Sequence, residues 1–148
     1  MKLQRDLSEF VALLGVHEVD YLVVGAHAVA FHGYPRFTGD IDLLVRPTLD
    51  NGRRIIAALS SFGMGQVDLA AEDFAAPELI VQLGRPPNRI DLLTSITGVT
   101  FEAAWASRVR GELDEHQVWY PSKAVLIQNK RAAARPRDLA DVAELVDS

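Results

Sequence analysis

The chain has 148 residues, 49% hydrophobic and 24% charged, which suits one domain with a real core and excludes a disordered chain. Fifteen Lys and Arg against 20 Asp and Glu leave a net charge of -5, which argues against a protein that coats DNA through its overall field. With no cysteine, disulfides, zinc-thiolate sites and cysteine nucleophiles are excluded, so any metal must take oxygen or imidazole ligands.

Leu3, Leu7, Phe10 and Leu14 follow helical spacing up to Gly15, which predicts an amphipathic helix over residues 3 to 14. Tyr21 to Val24 reads as a strand ending at Gly25, and Ala26 to Phe31 as a helix stopping at Gly33. A loop over Tyr34 to Gly39 precedes a strand from Asp40 to Val45, closed by Pro47. Thr48 or Asp50 can cap a helix from Leu49 to Ser61, buried through Ile55, Ile56, Leu59 and Phe62. Strands at Glu78 to Leu83 and Arg89 to Leu93, around Pro86-Pro87, look like a hairpin. A short helix over Phe101 to Ser107, two weak strands within Val109 to Tyr120, and helices over Pro121 to Ala134 and Pro136 to Val146 complete the chain. This order indicates an α+β or mixed-sheet domain with a helical C-terminal end. No apolar stretch approaches the roughly 20 residues that span a bilayer. Arg5, Asp6 and Glu9 stand where a signal peptide would be apolar, so a cytoplasmic protein without membrane contact is expected.

Asp40-Ile41-Asp42 is the sharpest chemical feature, because strand side chains alternate and both carboxylates then share one face. Such a pair suits divalent ions held by bridging carboxylates, although two solvated acids on an edge strand give the same pattern. Asp91, set among Ile90, Leu92 and Leu93, is an acid in apolar company that needs a partner or a metal. Gly25-Ala26 makes a strand-to-helix turn small enough for phosphate to approach backbone N–H groups.

These residues resemble a known family. Val24-Gly25-Ala26, thirteen further residues, Asp40-Ile41-Asp42 and the later Asp91 look like the polymerase-β-type nucleotidyltransferase superfamily, whose pattern is a hydrophobic residue, Gly-Gly or Gly-Ser, a short gap, Asp-x-Asp/Glu and a third acid. More closely, Val23 to Ala30, Pro35 to Asp42, Arg89 to Thr94, Asn129 to Ala132 and Arg137 to Asp141 are similar to small bacterial nucleotidyltransferases of the AbiEii toxin type. The resemblance spans nearly the whole chain. It implies the nucleotidyltransferase fold over residues 1–148: a central mixed β-sheet flanked by helices, with a helical C-terminal end. It also implies transfer of a nucleoside monophosphate from an NTP, ATP among the candidates, to a tRNA, protein or small-molecule acceptor, releasing pyrophosphate. Two Mg²⁺ ions, or Mn²⁺, would be held by Asp40, Asp42 and Asp91, and Asp91 would help deprotonate the acceptor. Gly25 and Ala26 would seat the triphosphate, Arg36 and Thr38 would sit at the phosphate rim, and Lys130 matches the lysine of the family's C-terminal helix. The protein would be the toxin of a toxin–antitoxin or phage-defence system, with a cognate antitoxin. A domain this small, without a large acceptor-binding lobe, is separately expected to draw on a partner chain or a dimer to complete its substrate site. Ala26 departs from the pattern by lacking a serine hydroxyl. That departure supports the alternative, a nucleotidyltransferase-fold module that binds nucleotide or a partner protein without turnover.

Other features read more simply. Lys123, Lys130, Arg131, Arg135 and Arg137 form an uninterrupted basic segment before the acidic Asp138, Asp141, Glu144 and Asp147, which reads as a phosphate-binding patch or as solvated helix faces. Asp138 suits a helix N-terminus as well as a place beside Lys130. His27 and His32 are about 500° apart on a helix, so packing or rim roles are expected rather than a metal pair. Trp105, Trp119 and Tyr120 fit a core better than base stacking. Ser8, Ser60 and Ser95 show no His and acid partners for a hydrolase triad.

Overall fold

The computed structural model describes residues 5–33, 39–65, 68–85 and 88–147. Its elements are α1 (Arg5–Val16), β1 (Tyr21–Val24), α2 (Gly25–Phe31), β2 (Ile41–Val45), α3 (Leu49–Ser61), a 3₁₀ turn (Ala71–Ala75), β3 (Ile80–Arg85), β4 (Asn88–Leu93), α4 (Phe101–Ala106), β5 (Val109–Leu113), β6 (His116–Tyr120), α5 (Lys123–Ala133) and α6 (Pro136–Asp147). A four-stranded mixed sheet has the order β1-β2-β4-β3. β2 runs antiparallel to β1 and parallel to β4, and β3 closes a hairpin with β4. β5 and β6 form a separate two-stranded ribbon.

The period-two pattern divides the sheet into two faces. Tyr21, Val23, Ile41, Leu43, Val45, Ile90 and Leu92 join the main core with Leu7, Phe10 and Leu14 of α1 and Ile55 and Leu59 of α3. On the opposite face, Leu22, Val24 and Leu44 pack with Phe101 and Ala104 of α4, and Leu93, Trp105 and Trp119 border them. Asp42 and Asp91 fall on this second face by the same alternation, at the end of the sheet where β1 gives way to α2.

Asn51 fixes how β1 and β2 enter the sheet. Its buried amide accepts the Asp20 N–H at 2.8 Å and donates to the Asp20 and Arg46 carbonyls at 3.0 and 3.1 Å. Thr48, rather than Asp50, caps α3 by accepting the Asn51 N–H at 3.2 Å. The first helix runs through Gly15 to Val16 instead of stopping at Gly15. Its reversal falls to Glu18 at φ 55°, and Val19 N–H bonds the Leu14 carbonyl at 3.0 Å.

α5 and α6 meet at Ala134, the left-handed C-cap of α5 at φ 57°. Its N–H bonds the Lys130 carbonyl at 2.9 Å, and Pro136 opens the next helix. A left-handed alanine carries a steric penalty that glycine escapes, partly offset by glycine's freer unfolded chain. Ala134→Gly is expected to stabilise the protein by about 0.5 kcal/mol, raising the thermal midpoint by about 1–2 °C, as measured by thermal unfolding.

Candidate active site

Strand register sets the centre of the site. Val24 lies opposite Asp42, Asp42 opposite Asp91, and Asp91 opposite Gln82, so two carboxylates occupy neighbouring strands on one face at roughly the 4.8 Å strand spacing. Burial, then the charge of Asp91 and a hydrogen bond to it, push the Asp42 carboxyl up to about 6 from 3.8, with Asp40 adding to the rise and Arg89 opposing it. Ile41 and Leu43, on the other face, are wholly buried.

Gly25 makes this arrangement sterically feasible. Its φ is +68°, and a Cβ there would lie within 3.0 Å of Asp42 Cγ and 3.2 Å of Asp42 Cβ. A glycine is therefore required both by the left-handed backbone and by the carboxylate beside it. No side chain caps the first turn of α2, and Ala26, in that turn, is partly buried.

The three acids expected to act together are divided. Asp42 and Asp91 are brought side by side, whereas Asp40 stands just before β2 with Arg89 Nη2 at 3.3 Å from its Oδ2. Among the described residues, no group of three His, Asp or Glu side chains is gathered for a metal. Arg89 is a countercharge shared by two of these acids: its Nε also lies 3.1 Å from Asp91 Oδ1. Sequence reasoning passed over Arg89, yet Arg89-Ile90-Asp91 in a strand places the arginine on the same face as the acid. Asp91 Oδ1 is buried and makes no aligned hydrogen bond, and with the oxygen-only donor set around it the Asp42–Asp91 pair fits a hard divalent cation such as Mg²⁺.

A cleft of about 540 Å³ opens over these carboxylates, lined by Gly25, Asp42 and Asp91 from the sheet and by Lys130, Arg135 and Arg137 from the helical end. The basic segment and the acidic run after it neutralise each other here. Lys130 is buried, with Nζ 3.0 Å from Asp141 and 3.5 Å from Asp138. Arg135 grips Asp138 through Nε at 2.6 Å and Nη2 at 3.2 Å, and these bonds hold the Asp138 carboxyl below its usual range. Asp138 thus fills both anticipated roles, standing in the first turn of α6 and beside Lys130. Arg137 is exposed on the cleft wall. Arg36 and Thr38 lie outside the described residues.

The remaining candidates are structural. Tyr120 is 1% exposed and stacks on Phe31 with ring centroids 4.0 Å apart, while Trp105 and Trp119 border the second apolar cluster. His27 is buried, and desolvation lowers its pKa. His32 Nε2 donates to the Pro121 carbonyl at 2.8 Å. Ser8, expected to lack a histidine, has one: its Oγ lies 2.7 Å from His116 Nε2, a long-range pairing that single-strand spacing does not reveal. Among the described residues no acid bonds His116, and the pair joins α1 to β6.

Two outcomes follow from the packed carboxylates. A raised native pKa means that the folded state holds more protons, so stability falls as pH rises from about 4 to about 6, by about 2 kcal/mol after allowance for solvent. Asp42→Asn removes that loss: in chelator at pH 7.5 it should unfold at higher denaturant than the native chain, and at pH 4 the two should coincide. Gly25→Ala should destabilise by about 1–2 kcal/mol and push Asp42 away from Asp91, read by chemical denaturation over the same pH range.

No protein-family model matches the chain, and no curated protein matches it by sequence. Solved structures do. The lincosamide antibiotic adenylyltransferase LnuA, in its lincomycin-bound form, is 13% identical with a TM-score of 0.56, over 99% of this chain and 98% of that one. A Thermotoga maritima protein, TM1012, assigned as a nucleotidyltransferase, is 13% identical with a TM-score of 0.62, over 97% and 91%. An antigenic nucleotidyltransferase-like protein from Paracoccidioides brasiliensis is 16% identical with a TM-score of 0.53, over 99% and 78%. With the mixed sheet, its flanking helices and the site at the β1–α2 turn already described, these likenesses show that the chain has the nucleotidyltransferase fold.

Proposed function

We propose that the protein is a nucleotidyltransferase that moves a nucleoside monophosphate from an NTP to an acceptor nucleophile. The acceptor oxygen or nitrogen bonds to the α-phosphorus, the bond to the bridging oxygen breaks, and pyrophosphate leaves. The observation that carries this reading is the Asp42–Asp91 pair, in register on parallel strands beside a glycine whose missing side chain makes room for it.

Asp42 and Asp91 would hold Mg²⁺, with Asp40 joining them; Mn²⁺ would serve the same oxygen donors. When bound, the ions supply charge neutralisation at the attacking and leaving oxygens. Asp91 takes up the acceptor's proton. Gly25 and Ala26 leave the backbone of the β1–α2 turn open to phosphate, and Arg137, exposed on the cleft wall, meets the triphosphate. Arg36 and Thr38 would complete the phosphate rim. Lys130 acts with less freedom, since two buried acids orient its ammonium.

The acceptor is drawn from tRNA, protein and small molecules. The LnuA likeness, from an enzyme described as an antibiotic adenylyltransferase, keeps a small-molecule acceptor and ATP in view. The resemblance to AbiEii-type toxins favours a toxin in a toxin–antitoxin or phage-defence pair, with a cognate antitoxin. No helix among the described residues is long and apolar enough to cross a membrane, and a cytoplasmic site of action is part of the proposal.

Each of the four NTPs, labelled at the α-phosphate, would be incubated with the protein, Mg²⁺ and bacterial tRNA or lysate. Label should pass from one or more of them to an acceptor, and Asp42→Asn should reduce transfer by about 100-fold or more. NTP binding without transfer would instead make the protein a nucleotide-binding module, the role that Ala26 would suit.

A further inference from the structure

We propose that Arg89 is a displaceable internal countercation, a positioning residue that holds Asp40 and Asp91 when no divalent ion is present and releases Asp91 when one binds. This rests on the metal-holding role just assigned to Asp42 and Asp91. Arg89 spans both groups at once, with Nη2 3.3 Å from Asp40 and Nε 3.1 Å from Asp91. The second contact is close but misaligned: Arg89 Nε and Asp91 Oδ1 are both buried, and neither makes a hydrogen bond. It is thus a charge contact that leaves the lone pairs of Oδ1 unused, and a cation that takes those lone pairs gains what the arginine does not.

Two further properties make exchange the natural outcome. The guanidinium is carried at the end of a long side chain, so its charge leaves the site by movement of that chain. Its side chain is 30% exposed, and that of Asp40 is 35% exposed, so both have a route to water. Arg89 sits two residues before Asp91 in β4 and shares its face with Asp42 and Asp91, and Asp40, just before β2, reaches it from the chain end beside Asp42. In this arrangement Arg89 occupies the charge-compensating role that a divalent ion would otherwise take.

The test uses the full chain. The Nε–H of Arg89, assigned in ¹⁵N-labelled protein through its own backbone, is followed by NMR as Mg²⁺ is added, and Mn²⁺ affinity is measured by calorimetry for the native chain, Arg89→Lys, Arg89→Gln and Asp42→Asn. The Arg89 signal should move along the same saturation curve as Mg²⁺ binding and stay still in Asp42→Asn. Arg89→Lys keeps the charge but loses the fork that spans two acids, and it should bind Mn²⁺ about fivefold more tightly, a modest coupling between sites. Arg89→Gln should gain at least as much. A signal that stays fixed while Mg²⁺ saturates the site, or an Arg89→Lys affinity equal to that of the native chain, would overturn the proposal and leave the nucleotidyltransferase reading standing. No divalent binding by the native chain at millimolar concentration would overturn both. The NMR titration needs no variant, so a substitution that fails to fold does not blunt it.

Discussion

Two carboxylates of like charge are held side by side on adjacent parallel strands, and much of the surrounding structure serves that placement. The β2–β4 register sets Asp42 opposite Asp91, and burial of Ile41, Leu43, Ile90 and Leu92 on the other face locks it. A one-residue slip would turn every apolar residue of these strands into the wrong layer. Below about pH 6 the repulsion is relieved by a proton on Asp42, and Arg89 stands alongside as a countercharge. Such a site is a local loss of stability borne by a well-packed sheet, a common relation between scaffolds and reactive centres.

The helical end faces these acids with the opposite chemistry. α5, α6 and the junction between them bring three basic residues to the cleft wall, but two of these, Lys130 and Arg135, are tied to Asp138 and Asp141. What looks in sequence like a basic block followed by an acidic block is one folded hairpin of helices whose charges meet. The cleft is consequently less electropositive than its composition suggests, and Arg137 stands exposed on its wall.

Much of this was legible in the residues because local rules governed it. The alternation of Ile41 and Asp42, the turn at Gly25 and the Thr48 cap each follow from spacing within a few residues, whereas Asp40, expected inside the strand, stands just before it. The order of strands, the register of Asp42 against Asp91 and the clash that forbids a side chain at Gly25 arise between distant segments and are set by the folded sheet; the residues placed Asp91 in the same sheet, and the resemblance implied only that Asp40, Asp42 and Asp91 act together. Arg89 was missed because its partners, Asp40 and Asp91, come together only when β2 and β4 lie parallel. Ser8 and His116 escaped for the same reason, separated by 108 positions. The helix that runs on through Gly15 shows the reverse failure, where tertiary packing of Phe10, Val11 and Leu14 outweighs the local preference of glycine to end a helix.

The most direct test of the central claim is a crystal structure of the full chain grown with Mn²⁺ and a non-hydrolysable NTP analogue, with manganese located by its anomalous scattering. The account predicts a manganese peak between the carboxylates of Asp42 and Asp91, with the triphosphate reaching toward the β1–α2 turn. Manganese bound elsewhere, or density for the analogue outside the cleft while the two carboxylates remain paired to each other, would contradict it.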